Sequence, residues 1–441
     1  MLATINFFDV LLLGEWNTRV VVLGAAMLGL AGGVVGTFLV LRKRALLGDT
    51  VSHAMLPGVV GAFFVMQAMG GGGKSLVGLL IGAALAGMLA AWAVPALRRS
   101  TGLKDDAIMG VVLGSGFGLG IALLGIAQGL PGGNQAGLES FIYGRTASMI
   151  QADAIAIGVT AAVTLLIAMV LAKEFRLLCF DESFGRAIGR REGLLDLGLM
   201  LLAVIVTVVG LQAVGLILVI AILIIPAASA RFWTDSFTSM AALAGGIGAA
   251  GCWIGASISA LAPKLPAGSI IVLALAVMFT VSMVCGVKRG AVRRVVRAAR
   301  LQARTGRQHL LRAAAESMES SSEDYWTFED VLQARSWSPR KLRAIHRRAA
   351  RSGEVVPIDS GRYRFSDSGY GAAEQVLRNH RLWELFLIRH ADIAASHVDR
   401  DADLVEHVLG AELVAELESA LERGDETPET PSSPHPIGNT P

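Results

Sequence analysis

Apolar residues run in long, nearly charge-free stretches through the first two thirds of the chain, then give way to short periodic patterns among many charges. A hydrocarbon core about 30 Å thick needs roughly 20 apolar residues in helical form. Nine stretches come close, at residues 20–41, 54–69, 76–97, 107–128, 154–172, 194–210, 213–230, 240–261 and 268–287, the second and sixth being the shortest. The pattern predicts an all-α polytopic membrane protein of about nine transmembrane helices over residues 1–287,. Beyond it a basic helix and linker occupies 288–323. Residues 324–366 read as two short helices, 327–334 and 339–352, with Ser338 as cap and Pro339 in the first turn,. Two strands follow, Val355 to Ile358 and Tyr363 to Phe365, around a turn at Asp359-Ser360-Gly361,. Two helices followed by a hairpin make a winged-helix domain. Residues 367–423 form a further helical region, and 424–441, rich in Pro, Ser, Thr and Glu, are expected to be disordered,.

Cations set the orientation. Arg42, Lys43 and Arg44 follow the first stretch, Arg98, Arg99 and Lys104 the third, Lys173, Arg176, Arg186, Arg190 and Arg191 the fifth, Arg231 the seventh, and Lys288, Arg289, Arg293 and Arg294 the ninth. The alternate connections hold only Lys74, Arg145 and Lys264. The positive-inside rule then puts the N-terminus outside and everything beyond Lys288 in the cytoplasm. Of 441 residues 53% are hydrophobic, and the net charge of +3 is too small to argue for a polyanion partner,. Cys179, Cys252 and Cys285 are odd in number and widely spaced, which fits buried fillers better than disulfides or a zinc cluster,. The N-terminus has no basic segment or small-residue cleavage site of a signal peptide,.

Chemistry concentrates at Asp49 and His53, four residues apart between two apolar runs. On a helix both project from one face, a carboxylate next to an imidazole. Ionisable groups at membrane depth usually mark transport routes, and carboxylate plus imidazole is a pair that divalent transition metals bind. A helix-terminal acid and a packed histidine are the plainer reading. The glycines from Gly110 to Gly120 suit close helix packing, and Pro226 is expected to kink the seventh span,. Gly70 to Ser75 resembles the end of a phosphate loop, but Ala68 stands where its first glycine belongs, so this chain is not expected to hydrolyse ATP by itself,.

The stretch Leu41 to Gly58, with Leu211 to Gly215, Ile225 to Arg231, Gly255 to Ser259 and Leu265 to Gly268, resembles the zinc, manganese and iron permeases of the ABC transporter superfamily. The resemblance covers about residues 15–290. It implies a permease subunit importing manganese, zinc or iron across the bacterial cytoplasmic membrane. Its implied partners are a cytosolic ATPase, an extracytoplasmic metal-binding protein and a second permease subunit, in a homodimer or heterodimer. Asp49 and His53 match the family's metal path. The connection after the fifth span, with Asp181, Glu182, Phe184, Ile188 and Gly189, resembles the helix that docks into the ATPase. Phe184 and Ile188, at i and i+4, would seat in a partner's groove; a solvated loop helix is the alternative.

Ser366 to Gly369, Val376 to Glu384 and Ala402 to Gly410 resemble the diphtheria-toxin-repressor family of metal-dependent regulators. By position His380, Glu384, His397, Asp403, Glu406 and His407 are the implied ligands of a regulatory divalent metal. The same register brings in His309 and Arg312, and an arginine cannot ligate a cation. Lys341, Arg343, Arg347 and Arg348 give the second helix of the winged-helix segment a basic face for DNA, anionic lipid or another anion,. Two other readings are a membrane-anchored metal-responsive DNA-binding regulator and a gradient-driven metal carrier.

Overall fold

The computed structural model describes residues 16–70, 75–129, 149–261, 265–334, 337–359 and 361–390. The chain divides into two compact units, residues 1–294 and 295–441.

The first unit is built from α1 (Trp16–Leu41), α2 (Leu47–Ala54), α3 (Leu56–Ala68), α4 (Leu76–Thr101), α5 (Asp105–Gln128), α6 (Gln151–Val170), α7 (Ala172–Phe180), α8 (Glu182–Ala187), α9 (Glu192–Val214), α10 (Leu216–Ala230), α11 (Phe237–Ala260) and α12 (Ala267–Cys285). Among the described residues eight spans are long and apolar enough to cross a membrane, with Leu47–Ala68 counted as one. The sequence pattern predicts nine. The predicted stretch 213–230 falls short because Gly215, at φ +82°, breaks the helix. What remains, α10, has 15 residues and rises about 22 Å,. The helix runs on through Pro226.

The second span also starts earlier than its apolar run suggests. α2 begins at Leu47, and α2 and α3 join through Met55, whose backbone stays right-handed helical. Pro57, which has no N–H to donate, sits in the first turn of α3,. Asp49 and His53 therefore lie inside a membrane-crossing helix and not ahead of one.

α1 is the buried centre, packed against α6, α9, α10 and α11. Glycine makes the approach to α11 close. A Cβ on Gly29 would stand 2.3 Å from the Gly248 carbonyl oxygen, and one on Gly248 would stand 2.1 Å from that of Gly29. In the predicted small-residue stretch of α5, Gly116 and Gly120 pack on Ala54 and Leu56, while Gly110, Gly114 and Gly118 meet nothing among the described residues.

In the second unit α13 (Ala291–Ser321), most of whose length lies beyond residue 294, is followed by β1 (Trp326–Thr327), α14 (Phe328–Ala334), α15 (Pro339–Arg351), β2 (Val355–Asp359), β3 (Arg362–Phe365) and α16 (Asp367–His390). The strands form an antiparallel sheet in the order β1-β3-β2, with Val355 opposite Phe365 and Trp326 opposite Tyr363. Ser338 caps α15 by accepting from the Lys341 N–H at 3.4 Å. Leu310, Leu311, Trp326, Leu342, Val355 and Phe365 share one core.

Candidate metal path and its coupling elements

α2 is amphipathic within the membrane. Leu47, Thr50, Val51 and Ser52 are buried, and Asp49 and His53 are half-buried. The hydroxyls on the buried side are satisfied by the helix: Thr50 donates to the Leu46 carbonyl at 2.9 Å and Ser52 to that of Gly48 at 2.6 Å. On the other face His53 Nε2 stands 3.2 Å from Asp49 Oδ1, as the four-residue spacing predicts,. A carboxylate only accepts, so Nε2 carries the proton in the neutral ring and Nδ1 keeps its lone pair. Nδ1 is buried and has no hydrogen-bond partner among the described residues. The Phe117 ring of α5 packs edge-on to the imidazole, 4.8 Å between centroids. A carboxylate and an imidazole on one helix face are the donor types that a divalent transition metal takes.

The basic turn after α1 does more than follow a span. Arg42 donates to Glu182 at 3.0 Å, to Asp196 at 3.1 Å and to the Leu178 carbonyl at 2.9 Å. Arg44 bonds Asp196 at 2.5 Å and Asp105 at 3.2 Å, and Asp105 also meets Arg98 at 3.4 Å. This network fastens α8 and α9 to the residues that lead into α2. Sequence reading took the two arginines only as topology cations and passed over Asp105 and Asp196. An aspartate at the third position of the apolar stretch 194–210 was the available signal. Cys179 borders the network, and burial pushes its thiol up to about 11, which suits a filler.

α8 occupies the predicted coupling position. Asp181 caps it by accepting from the Phe184 N–H at 2.9 Å and the Ser183 hydroxyl at 2.8 Å, and these bonds hold its carboxyl below the usual range. Gly189 follows at φ +78°. Phe184 and Ile188 are 54% and 52% exposed.

In the second unit His380 and Glu384 come together, Nε2 to Oε1 at 3.1 Å. His397, Asp403, Glu406 and His407 lie outside the described residues. The third group at the pair is Arg312, whose Nη1 is 2.7 Å from His380 Nδ1. Among the described residues no three His, Cys, Asp or Glu side chains are grouped to hold a metal. Of the six implied ligands, His380 and Glu384 are the two that the described residues include. Lys341, Arg343, Arg347 and Arg348 are all exposed along α15.

Residues 16–286 match the family described as the ABC 3 transport family. The chain belongs to that family. It is a multi-pass membrane protein and a transport subunit, not a catalyst. Residues 366–435 match a second family, the iron dependent repressor, metal binding and dimerisation domain. The chain is 35% identical over 385 residues to the manganese transport system membrane protein MntC of Bacillus subtilis, covering 87% of each chain. That alignment is too long to be confined to residues 16–286, so the likeness reaches into the second unit. The chain is 40% identical over 281 residues to the zinc transport system membrane protein TroC of Treponema pallidum, covering 64% of this chain and 93% of that one. Among solved structures it resembles PsaBC from Streptococcus pneumoniae in complex with Fab, with 30% identity and a TM-score of 0.56, covering 66% of this chain and 98% of that one.

Proposed function

We propose that this chain is the permease subunit of an ABC importer for a divalent transition metal, manganese, zinc or iron, with a regulator-like domain fused to its C-terminal end. The observation that carries the reading is the Asp49–His53 pair, 3.2 Å apart within a membrane-crossing helix and with an unused imidazole lone pair. The ion passes this pair, which binds strongly enough to replace hydration water and weakly enough to release it. Carboxylate and imidazole suit all three metals. The half-buried face of α2, with Phe117 beside it, is the face toward a second permease subunit across the path.

Counting α10 as a short ninth pass, the arginine-rich ends all fall on one side, which supports an N-terminus outside and a cytoplasmic second unit in the bacterial inner membrane. On that side α8 presents Phe184 and Ile188 to the ATPase, and an extracytoplasmic metal-binding protein delivers the ion from the other. The second unit, with 324–366 read as a winged helix and 367–423 as a dimerisation-like region, modulates the permease. Its exposed row Lys341, Arg343, Arg347 and Arg348 is an anion-contact surface, for DNA phosphate among others.

The test is uptake of manganese into proteoliposomes that contain the permease with its ATPase and binding protein. Asp49→Asn and His53→Ala are each expected to lower uptake at least about tenfold, the scale on which weakened metal sites lose affinity, while the complex still assembles. Uptake at the unmodified rate in both variants removes the pair from the route. Uptake driven by an ion gradient without the ATPase identifies a secondary carrier instead.

A further inference from the structure

α13 carries one apolar stripe along most of its length, and only the later part of that stripe is covered. Val292, Val295, Val296, Ala299 and Ala303 recur at i, i+3, i+4, i+7 and i+11, the spacing of a single helix face, and Gly306, Leu310 and Ala314 continue it,. From Gly306 onward the stripe is buried, with Leu310 and Ala314 in the core of the second unit. From Ala291 to Gln302 every residue is exposed. Val292 is 56% exposed and Val295 68%, although valines at this spacing ordinarily face a core. The other side of the helix is cationic. Arg293, Arg297, Arg300 and Arg304 keep a helical spacing of their own, and Leu301 is the one large apolar side chain among them. No Asp or Glu occurs between Asp235 and Glu316, so arginines one turn apart repel each other with nothing nearby in the helix to offset them. The helix also begins close to a membrane span. Ala291 follows Cys285, the last residue of α12, by six positions. The turn between them is pinned: the Lys288 N–H donates to the Phe232 carbonyl at 3.0 Å, and Arg289 pairs with Asp235 at 3.0 Å.

We propose that residues 291–304 lie in the headgroup layer of the membrane that α12 crosses and bind its anionic phospholipids: Val292, Val295 and Val296 enter the acyl boundary, and the arginines reach the lipid phosphates. An apolar stripe flanked by long cationic side chains is the pattern that settles in an interface plane. The unopposed positive charge matches an anionic surface, where each arginine strengthens binding about fivefold. A pinned exit from α12 holds the stripe at high effective concentration beside that surface, which a dissolved partner would have to reach by diffusion. The first half of α13 is accordingly a surface anchor and not a free spacer.

The inference rests on the membrane spans and not on metal transport, and its test contains no metal. Full-length protein is placed in nanodiscs of phosphatidylcholine, or of phosphatidylcholine mixed with phosphatidylglycerol, and amide hydrogen exchange is followed across residues 291–304. Exchange there is expected to be at least about tenfold slower in the anionic discs, well within what three arginines supply at about fivefold each. In about 1 M NaCl, where the screening length falls to about 3 Å, the difference between the discs should vanish. Residues 310–314, buried in the second unit, should exchange alike throughout. R297Q/R300Q/R304Q is expected to exchange alike in both discs, and V295Q/V296Q to lose the slowing in the anionic ones. Equal rates for the unmodified chain in the two discs overturn the proposal, and this comparison needs no variant. Slowing that survives R297Q/R300Q/R304Q or V295Q/V296Q also overturns it, because the lipid contact then lies elsewhere. So does slowing that appears only when the ATPase is added, which would give this face to a protein partner.

Discussion

Arg44 Nη1 lies 2.5 Å from Asp196 Oδ2, joining the turn that leads into α2 to the first turns of α9. Arg44 is 4% exposed, and the Asp196 side chain only 11%. Removing one partner of a buried pair strands the other charge and costs about 3–5 kcal/mol. Asp196→Ala leaves Arg44 with Asp105 alone and Arg42 with Glu182 alone, so it is expected to cost somewhat less than a fully stranded charge, about 2–3 kcal/mol. Glu182, 38% exposed, is a rim partner of Arg42, and Glu182→Gln should cost under about 1 kcal/mol. Thermal unfolding of the detergent-solubilised protein checks the order. Equal losses in the two variants would mean that the network is not centred on Asp196.

The glycines of α1 and α11 separate packing from composition. At Gly29 a Cβ meets backbone, which cannot rotate away. Gly29→Ala is therefore expected to destabilise by about 1–3 kcal/mol, the usual cost of overpacking. Among the described residues nothing stands within 4 Å of a Cβ on Gly114, and Gly114→Ala should be neutral or slightly stabilising through helix propensity. Melting curves of the two variants, compared in one detergent, test the contrast.

Much of this was legible because bilayer and helix impose simple rules. Asp49 and His53 were found by spacing alone, since residues four apart must share a helix face, and Ser338 with Pro339 marked the start of α15 to the residue. What sequence missed depends on distance along the chain. Arg44 finds Asp196 only once the spans pack, 152 residues apart, and in sequence its charge looked like a topology signal. The short strand β1 was missed because two residues carry no periodicity, and it exists only through pairing with β3. The break at Gly215 was invisible beside Pro226: glycine disrupts a helix only when its φ turns positive, whereas proline announces itself. At His380 the sequence showed the ligand types, and only the fold showed Arg312 at the ring's other nitrogen.

Phe184 and Ile188 offer a functional prediction with little structural cost. Phe184 on α8 and Ile188 at its C-terminal cap are both more than half exposed, so Phe184→Ala and Ile188→Ala should change stability by no more than about 0.5 kcal/mol. If they seat in the ATPase, each truncation weakens docking, and a central aromatic anchor typically costs about 2 kcal/mol or more. Phe184→Ala is expected to lose co-purification with the ATPase and with it uptake, while the permease keeps its melting temperature. Intact co-purification of the double variant would place the ATPase contact elsewhere.

His346 gives the second unit a pH dependence. It faces inward from α15 with its ring 4.0 Å from that of Tyr363, and burial pulls its pKa below the usual 6.5. A base whose folded pKa is depressed binds its proton more readily when unfolded, so acid favours the unfolded state. Stability is flat above the unfolded value, begins to fall as the pH drops through about 6.5, and continues to fall until the folded ring also protonates. Glu354 adds to the same trend at lower pH. Its hydrogen bonds from Arg307 hold the carboxyl below its ordinary range, so that contribution is present at neutral pH and disappears in acid. The melting transition of the second unit, followed between pH 7.5 and pH 5 in steps of about half a unit, should shift downward below about 6.5. His346→Phe keeps an aromatic ring against Tyr363 but carries no proton, so it should flatten this part of the curve, whereas Glu354→Gln should leave it unchanged. A curve that keeps its slope in His346→Phe would assign the titration to another group.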